Sequence, residues 1–385
     1  MKICIITSSF PLNRGDGSAT AGLFVRDFSL TLADLGHQVT VLTPDKVPGK
    51  KEEYPGISVC WFRWLGGRKR LSYLKPYNPF DVASMISLFR NGKVVLDRFV
   101  STSHFDHVLA MWAVPAGWLA RGIKRRQGIS YTTWCLGSDI WTYGRNPFFR
   151  SLIRRVLQTS DLVYADGVKL AEDAARLAGR PCSFLPSCRR LDPSLKRPLA
   201  LPESGFRFLF VGRYAPVKGV DILLEAMARY VRQGHRGHLY LLGGGPLEAR
   251  LRRRAGQPDL RQSVTIGGYA EDETFVSYLD ACDCVVIPSR MESIPVVLSD
   301  ALQMGKPLIV SDVGDMGRLL REYPAGLAVP REDADALCRA MVQMASCDRE
   351  RFAPNIKALA RRFNITDIAQ QWLRQLDLSV NAQLR

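Results

Sequence analysis

Short β-rich runs alternate with stretches of helical spacing along the whole chain. KICIIT (2–7) is a compact apolar run entering a glycine-bearing loop, LFVRDFSLTLADLG (23–36) spaces its apolar residues as a helix does, and HQVTVLT (37–43) is the next β-rich run. Strand, loop, helix, strand is a βαβ unit, and its repetition predicts a parallel, doubly wound sheet. FDHVLAMW (105–112), ISYTTWC (129–135) and DLVYADG (161–167) read as further strands of that sheet. The proline-rich stretch 185–205 has no periodicity and reads as a connection. FRFLFVGR (206–213) then opens a second series, continued by HLYLLGGG (238–245), SVTIGG (263–268), CDCVVIPS (282–289), KPLIVSD (306–312) and GLAVP (326–330). The expected division is a first domain over 1–190, a linker over 191–205, a second domain over 206–360 and a terminal segment over 361–385. In that last segment Ile368, Trp372 and Leu376 form an apolar helical stripe.

A length of 385 residues agrees with two domains. In open α/β sheets ligands sit outside the carboxyl ends of the strands, so two such sheets facing each other would hold a ligand between them. The longest apolar stretch, Val108–Ala120, is shorter than the roughly 18 residues a membrane span needs and contains Pro115 and Gly117, as a strand running into a helix would. The N-terminal apolar run is too brief for a signal peptide, and the nine cysteines form no C-x-x-C pair. A cytoplasmic protein with neither a disulfide framework nor a structural zinc site is expected.

Net charge changes the picture. At +16 it points to an anionic partner: nucleic acid, an anionic membrane surface or phosphorylated substrates. Three of the four basic clusters (68–70, 121–126, 150–155 and 250–254) precede residue 160, which predicts a basic face on the first domain; solvated helix faces would also read this way. The first strand is not followed by G-x-G-x-x-G, which disfavours a nicotinamide dehydrogenase. A basic nucleic-acid-binding protein remains a rival reading, although no known nucleic-acid module is recognisable.

Candidate chemistry lies after two strands of the second series. VGRYAPVKG (211–219) sets Arg213 and Lys218 in a loop before a helix, where paired cations suit a diphosphate and helix-terminal amides add donors. Two exposed basic residues in a surface loop would look the same. PSRMESIPVVLSD (288–300) sets Glu292 just past the buried run CVVIP, Ser293 and Pro295 at the start of a helix, and Asp300 about two turns along it. Two carboxylates reaching one cleft suit a polyhydroxylated ligand such as a ribose or hexose; a helix-start charge and a solvent-facing acid are the plain alternatives.

The order VGR…KG, LLGGGP (241–246) and IGGYAEDETFVSYLDACDCVVIPSRMESIPVVLSDALQMGKPLIVSDVGDMGRLL resembles the nucleotide-sugar half of the retaining glycosyltransferases of family four, which have the GT-B fold. The resemblance implies an α/β chain with two Rossmann-like doubly wound parallel-sheet domains facing a cleft, the donor mainly on the second and the acceptor mainly on the first. It implies that Arg213 and Lys218 neutralise the donor diphosphate and that Glu292, the first acid of a Glu-x7-Glu motif, lies near the transferred sugar. Asp300 stands where the second Glu, the ribose ligand, is expected, one methylene shorter. Ile294, Pro295 and Val296 match backbone contacts to sugar and phosphate, Gly268 and Tyr269 the loop passing the base, and Gly243, Gly244 and Gly245 the glycine-rich turn. Gly15 and Gly17 in RGDG (14–17) resemble the N-terminal glycine loop near the donor phosphates. WCLGSDI (134–140) resembles the acceptor-side motif, with Asp139 matching and Leu136 in the position of its usual His. In the family the terminal helix crosses back onto the first domain.

The function implied is retaining transfer of a sugar from a UDP- or GDP-sugar to a saccharide or lipid-linked saccharide, in envelope or exopolysaccharide synthesis, with no cofactor or metal. The enzyme would be cytoplasmic, peripheral on the inner face of the plasma membrane, and would bind no nucleic acid. A sugar-nucleotide epimerase on the same fold is the nearer alternative.

Overall fold

The structure is a computed structural model describing residues 1–13, 22–47, 51–67, 69, 71, 74–75, 77–199, 201 and 205–383. The chain forms two compact units: one from Met1–Asn13, Ala21–Pro186 and Ile365–Arg385, the other built on Ser187–Asn364.

The first unit begins with β1 (Lys2–Ile6), α1 (Leu23–Asp34), β2 (Gln38–Asp45), β3 (Ile57–Arg63), α2 (Pro79–Thr102), β4 (His107–Met111), α3 (Trp118–Gln127), β5 (Tyr131–Cys135), α4 (Ser138–Trp141), α5 (Pro147–Thr159), β6 (Leu162–Ala165), α6 (Val168–Ala178) and β7 (Ser183–Phe184). Its seven strands run parallel in the order β3-β2-β1-β4-β5-β6-β7. Every residue of β4 and β5 is buried, as strands covered on both faces must be. Asn78 and Asn146 cap α2 and α5, each followed by a proline in the first turn. Val108–Ala120 resolves as foreseen: the strand ends at Met111 and α3 starts at Trp118.

The second unit follows the same plan with β8 (Phe206–Val211), α7 (Val220–Arg232), β9 (Gly237–Leu242), α8 (Glu248–Ala255), β10 (Val264–Gly268), α9 (Asp272–Ala281), β11 (Cys284–Ile287), α10 (Val296–Gln303), β12 (Leu308–Ser311), α11 (Met316–Glu322), β13 (Gly326–Val329), α12 (Ala334–Ser346) and α13 (Ala353–Ala360). Its six parallel strands are ordered β10-β9-β8-β11-β12-β13. The last helix, α14 (Ile365–Gln383), belongs to the first unit. Its stripe is buried there, with Trp372 against Phe28 of α1 at 6.0 Å between ring centroids.

Two features depart from the sequence reading. The first sheet has two additional strands, the two-residue β7 and β3, both at its edges, and the residues of β3 are mostly half exposed for that reason. The proline-rich connection is no free tether. Gln303 Nε2 donates to the Arg189 carbonyl at 2.9 Å, the Arg197 amide to Ser277 Oγ at 2.9 Å, and Lys196 lies 3.5 Å from Asp280. Residues 189–197 are thus strapped along α9 and α10.

Candidate active site

In each sheet the strand order reverses once, between β1 and β4 in the first unit and between β8 and β11 in the second. Loops leaving two adjacent strands in opposite directions open a crevice at that point. In the second unit those loops are 212–219 and 288–295, and they carry the predicted cations and acid.

Arg213 and Lys218 both lie past the end of β8, Lys218 in a short 3-10 turn, Pro216–Lys218, just before α7. Gly219 makes the close approach possible: its φ is 64°, and a Cβ there would sit 1.9 Å from the Pro288 carbonyl oxygen. With no side chain in the way, the two loops touch. The Arg290 amide donates to the Val217 carbonyl at 2.8 Å. The Arg290 guanidinium reaches Asp221 at 2.9 and 3.0 Å, Glu332 at 2.9 Å and the Pro216 carbonyl. Burial works against the Asp221 carboxylate, but Arg290 outweighs it and holds that carboxyl below its ordinary range. Arg290 therefore knits the two loops, and Lys218 Nζ meets Glu292 Oε2 across them, both side chains about one-fifth exposed. The structure brings Lys218 and Glu292 together; Arg213 stands in the same loop, half buried. Arg290, Asp221 and Arg189 were not singled out from the sequence. The only signal was an arginine two residues before Glu292 in a loop leaving a buried strand.

The stretch after Glu292 folds differently from the expected cap. Pro295 is the N-cap and α10 starts at Val296, while the buried Ser293 hydroxyl has no hydrogen-bond partner among the described residues. The loop after β12 lies against it: Gly314 has φ 57°, and a Cβ there would stand 2.1 Å from the Glu292 carbonyl oxygen. Ile294 is buried, and Pro295 and Val296 follow at the helix entrance. Asp300 is only 2% exposed, and Arg189 Nε donates to its two oxygens at 3.1 and 3.2 Å.

The glycine-rich turn after β9 makes room first for protein. A Cβ on Gly243 would fall 1.9 Å from the Gly212 carbonyl oxygen, and one on Gly244 2.5 Å from the Tyr269 ring. The Tyr214 amide donates to the Gly244 carbonyl at 2.9 Å, and Tyr269 Oη donates to the same carbonyl at 3.2 Å. Gly268 ends β10 with φ 75°, and Tyr269 beyond it keeps 43% of its surface exposed. A cavity of about 430 Å³ lies instead beside Phe206 at the start of β8, the opposite end of the strand from these loops. Its acid, Asp283, is already shared by Arg207 and Arg349.

In the first unit Asp139 is fully buried in α4, just after β5. Its oxygens accept from the amides of Ala113 at 2.9 Å, Leu136 at 3.2 Å and Ile140 at 3.1 Å. Burial raises its pKa, although those amides pull the other way. The Ala113 bond spans to the turn after β4, where Trp112 takes φ 72°, uncommon for a bulky residue. Asp139 thus organises the turns at the strand ends from inside. Leu136, beside it, is half buried. Gly15 and Gly17 lie outside the described residues.

Among the described residues no group of three or more His, Cys, Asp or Glu is arranged to hold a metal ion, and no helix is long and apolar enough to cross a membrane.

Each unit is a doubly wound parallel sheet, and the second carries basic and acidic loops at its switch point; comparison with known proteins makes the family explicit. Residues 192–359 match the family Glycosyl transferases group 1, and residues 20–184 match the Glycosyl transferase 4-like domain. A phosphatidyl-myo-inositol mannosyltransferase of Mycolicibacterium smegmatis is 30% identical over 358 residues, 89% of this chain and 86% of that protein. A putative teichuronic acid biosynthesis glycosyltransferase of Bacillus subtilis, TuaC, is 26% identical over 375 residues, 89% of each. The alpha-D-kanosaminyltransferase of Streptomyces kanamyceticus is 33% identical over 168 residues, so the chain spans 43% of that relative's length. Among solved structures, sucrose-phosphate synthase from Thermosynechococcus elongatus superposes with a TM-score of 0.77 at 21% identity, covering 100% of both chains. HepE of Anabaena, in complex with UDP-glucose, superposes at 0.70 with 18% identity, covering 98% of this chain and 99% of that one. The chain belongs to the group 1, family-four-like glycosyltransferases, and its two units have the α/β fold of GT-B enzymes.

Proposed function

We propose that this protein is a retaining glycosyltransferase that moves a sugar from a nucleoside-diphosphate sugar to a saccharide or lipid-linked saccharide acceptor in envelope or exopolysaccharide synthesis. The observation that carries the reading is the meeting of Lys218 and Glu292 across two loops at the switch point of the second sheet. An ammonium with a carboxylate beside it gives one group for the diphosphate and one for the sugar hydroxyls. Arg213 shares the loop with Lys218, and backbone at Ile294, Pro295 and Val296 lies on the same side of the sheet for sugar and phosphate. Gly268 and Tyr269 would pass the base, and Gly243 and Gly244 would shape the turn beside it.

The chemistry follows from charge. As the bond from the anomeric carbon to the diphosphate oxygen lengthens, negative charge builds on the leaving phosphate, and Arg213 and Lys218 stabilise it there. The acceptor hydroxyl attacks from the face the diphosphate leaves, passing its proton to a departing phosphate oxygen, so the anomeric configuration is kept. Glu292 orients the sugar. Asp139 serves the acceptor by holding the turns at the ends of β4 and β5. The reaction as proposed uses no metal or cofactor beyond the UDP- or GDP-sugar itself. The basic first unit would rest on the inner face of the plasma membrane, where a lipid-linked acceptor is found. The solved HepE complex with UDP-glucose supports a nucleotide-sugar donor, and the mannosyltransferase and teichuronic acid relatives support a glycolipid or polysaccharide acceptor.

A panel of UDP- and GDP-sugars screened by thermal shift identifies the donor, because a ligand that binds only the folded state raises its melting temperature. Product formed with the identified donor and a lipid-linked saccharide is then read by NMR at the anomeric centre. An inverted configuration, or free epimer released without acceptor, would overturn the proposal.

A further inference from the structure

The second acid of the predicted pair has an unexpected partner. Asp300 lies in the second turn of α10 and Gln303 three residues further on, so both face the same side of the helix. That side is covered by the strap. Arg189 Nε donates to both Asp300 oxygens, the Arg189 carbonyl accepts from Gln303 Nε2 at 2.9 Å, and the Leu191 amide donates to Gln303 Oε1 at 3.4 Å. Arg189 is itself held from the other side. Its guanidinium carbon lies 4.1 Å from the centre of the Phe275 ring, and Nη1 is 3.4 Å from Asp272 Oδ1, both on α9. Arg189 is 5% exposed and Asp300 2%, so this is a buried, anchored ion pair.

A carboxylate reads a ribose by accepting hydrogen bonds from its two hydroxyls. Here both oxygens already accept from a guanidinium wedged between two helices, and turning them toward a ribose would break a buried ion pair. The shorter aspartate matters too, because it keeps the carboxylate one methylene nearer the helix axis and so shortens its reach toward a ribose.

Resting on the donor reading above, we infer that Arg189 is a specificity-determining residue of this site: it withholds Asp300 from the ribose, so the nucleotide is held through its diphosphate, base and sugar, and its ribose hydroxyls contribute little. The consequence is a site tolerant of a 2′-deoxyribose.

The test is calorimetric titration of the full chain with UDP and 2′-deoxy-UDP, and with GDP and 2′-deoxy-GDP. For the base that binds, wild type should hold the two sugars with dissociation constants within threefold of each other, and Asp300→Asn should leave that ratio where it is. Arg189→Gln, which removes that guanidinium from Asp300, should raise the ratio to threefold or more. A wild-type preference for the ribonucleotide of threefold or more, its reduction in Asp300→Asn, or an Arg189→Gln ratio unchanged from wild type would each overturn the inference. If Arg189→Gln does not fold, the wild-type ratio and Asp300→Asn decide. Absence of binding by all four nucleotides is a different failure, that of the donor reading, and would take this inference with it.

Discussion

Lys218 and Glu292 neutralise each other across two loops, so a diphosphate bound there as proposed would compete with Glu292 for one ammonium. The pair is partly exposed and contributes little to stability, within about 1 kcal/mol, whereas the same ammonium facing a leaving phosphate is worth far more. Lys218→Ala should therefore lower kcat by about 10²–10³-fold, the scale of a lost charge-stabilising group, while the melting temperature hardly moves. Steady-state turnover beside a thermal melt checks this, and unchanged turnover removes Lys218 from the mechanism. Gly219 has the opposite signature. Its left-handed φ and the 1.9 Å approach of a Cβ to the Pro288 carbonyl leave no room for a methyl group. Gly219→Ala should cost about 1–3 kcal/mol, the range of backbone strain at a constrained turn, read as a lower denaturation midpoint. The loss of activity would follow from the two loops parting.

At the scale of elements, the strands and their parallel direction were readable because β4, β11 and β12 are largely apolar runs bounded by turn residues. β3 was not, since a half-exposed edge strand lacks that contrast. The strap was opaque for another reason: its hold on α9 and α10 comes from single side chains, Arg189 and Gln303 among them, which leave no periodic trace. The loops proposed to hold the donor were picked out by residue type and spacing, yet spacing does not say which way an acid points, so the inward turn of Asp139 and Asp300 appears only in the structure. The layer joining β4, β5 and α14 carries a pH dependence of its own. His107 is buried, with Nδ1 2.7 Å from Ser130 Oγ, Nε2 2.8 Å from Thr132 Oγ1, and the Trp372 ring 5.8 Å away. Burial pulls its pKa down to about 3, with Asp161 and Lys124 acting as smaller and opposed influences. Between that value and the ordinary 6.5 the unfolded chain binds a proton that the folded chain does not. This stability is whole above pH 6.5 and drains away as the pH falls toward 3, with about 2 kcal/mol gone by pH 5. All seven tryptophans lie in the first unit, so their fluorescence follows its unfolding alone. Denaturant titrations at pH 7 and pH 5 should show the loss in wild type and a smaller one in His107→Gln; equal losses would refute the assignment.

For the whole molecule the decisive quantity is charge, and it is unevenly spread. Residues 118–160 hold eight of the basic side chains and a single acid, Asp139, which is buried. Lys124 and Arg126 are matched by Asp161 and Asp97 at 2.6 and 2.5 Å, but Arg125, Arg145, Arg150, Arg154 and Arg155 are exposed on or beside α3 and α5, which pack together. Phe148, 72% exposed, stands between Arg145 and Arg150, an apolar ring among cations as a lipid headgroup region favours. Each basic residue near an anionic bilayer is worth about 1 kcal/mol, and the attraction fades over a Debye length of about 10 Å at 0.1 M salt. Five such residues are enough for reversible attachment and too few to survive high salt. The protein should sediment with vesicles containing phosphatidylserine or cardiolipin at low ionic strength, leave them as salt approaches about 0.5 M, where screening shortens to a few ångströms, and ignore pure phosphatidylcholine. Replacing Arg150, Arg154 and Arg155 by glutamate should abolish sedimentation without altering nucleotide affinity, because all three belong to the first unit and the donor loops to the second. Retention of that triple variant on anionic vesicles would locate the membrane contact elsewhere, and failure of the wild type to bind them would remove the membrane from the proposed function.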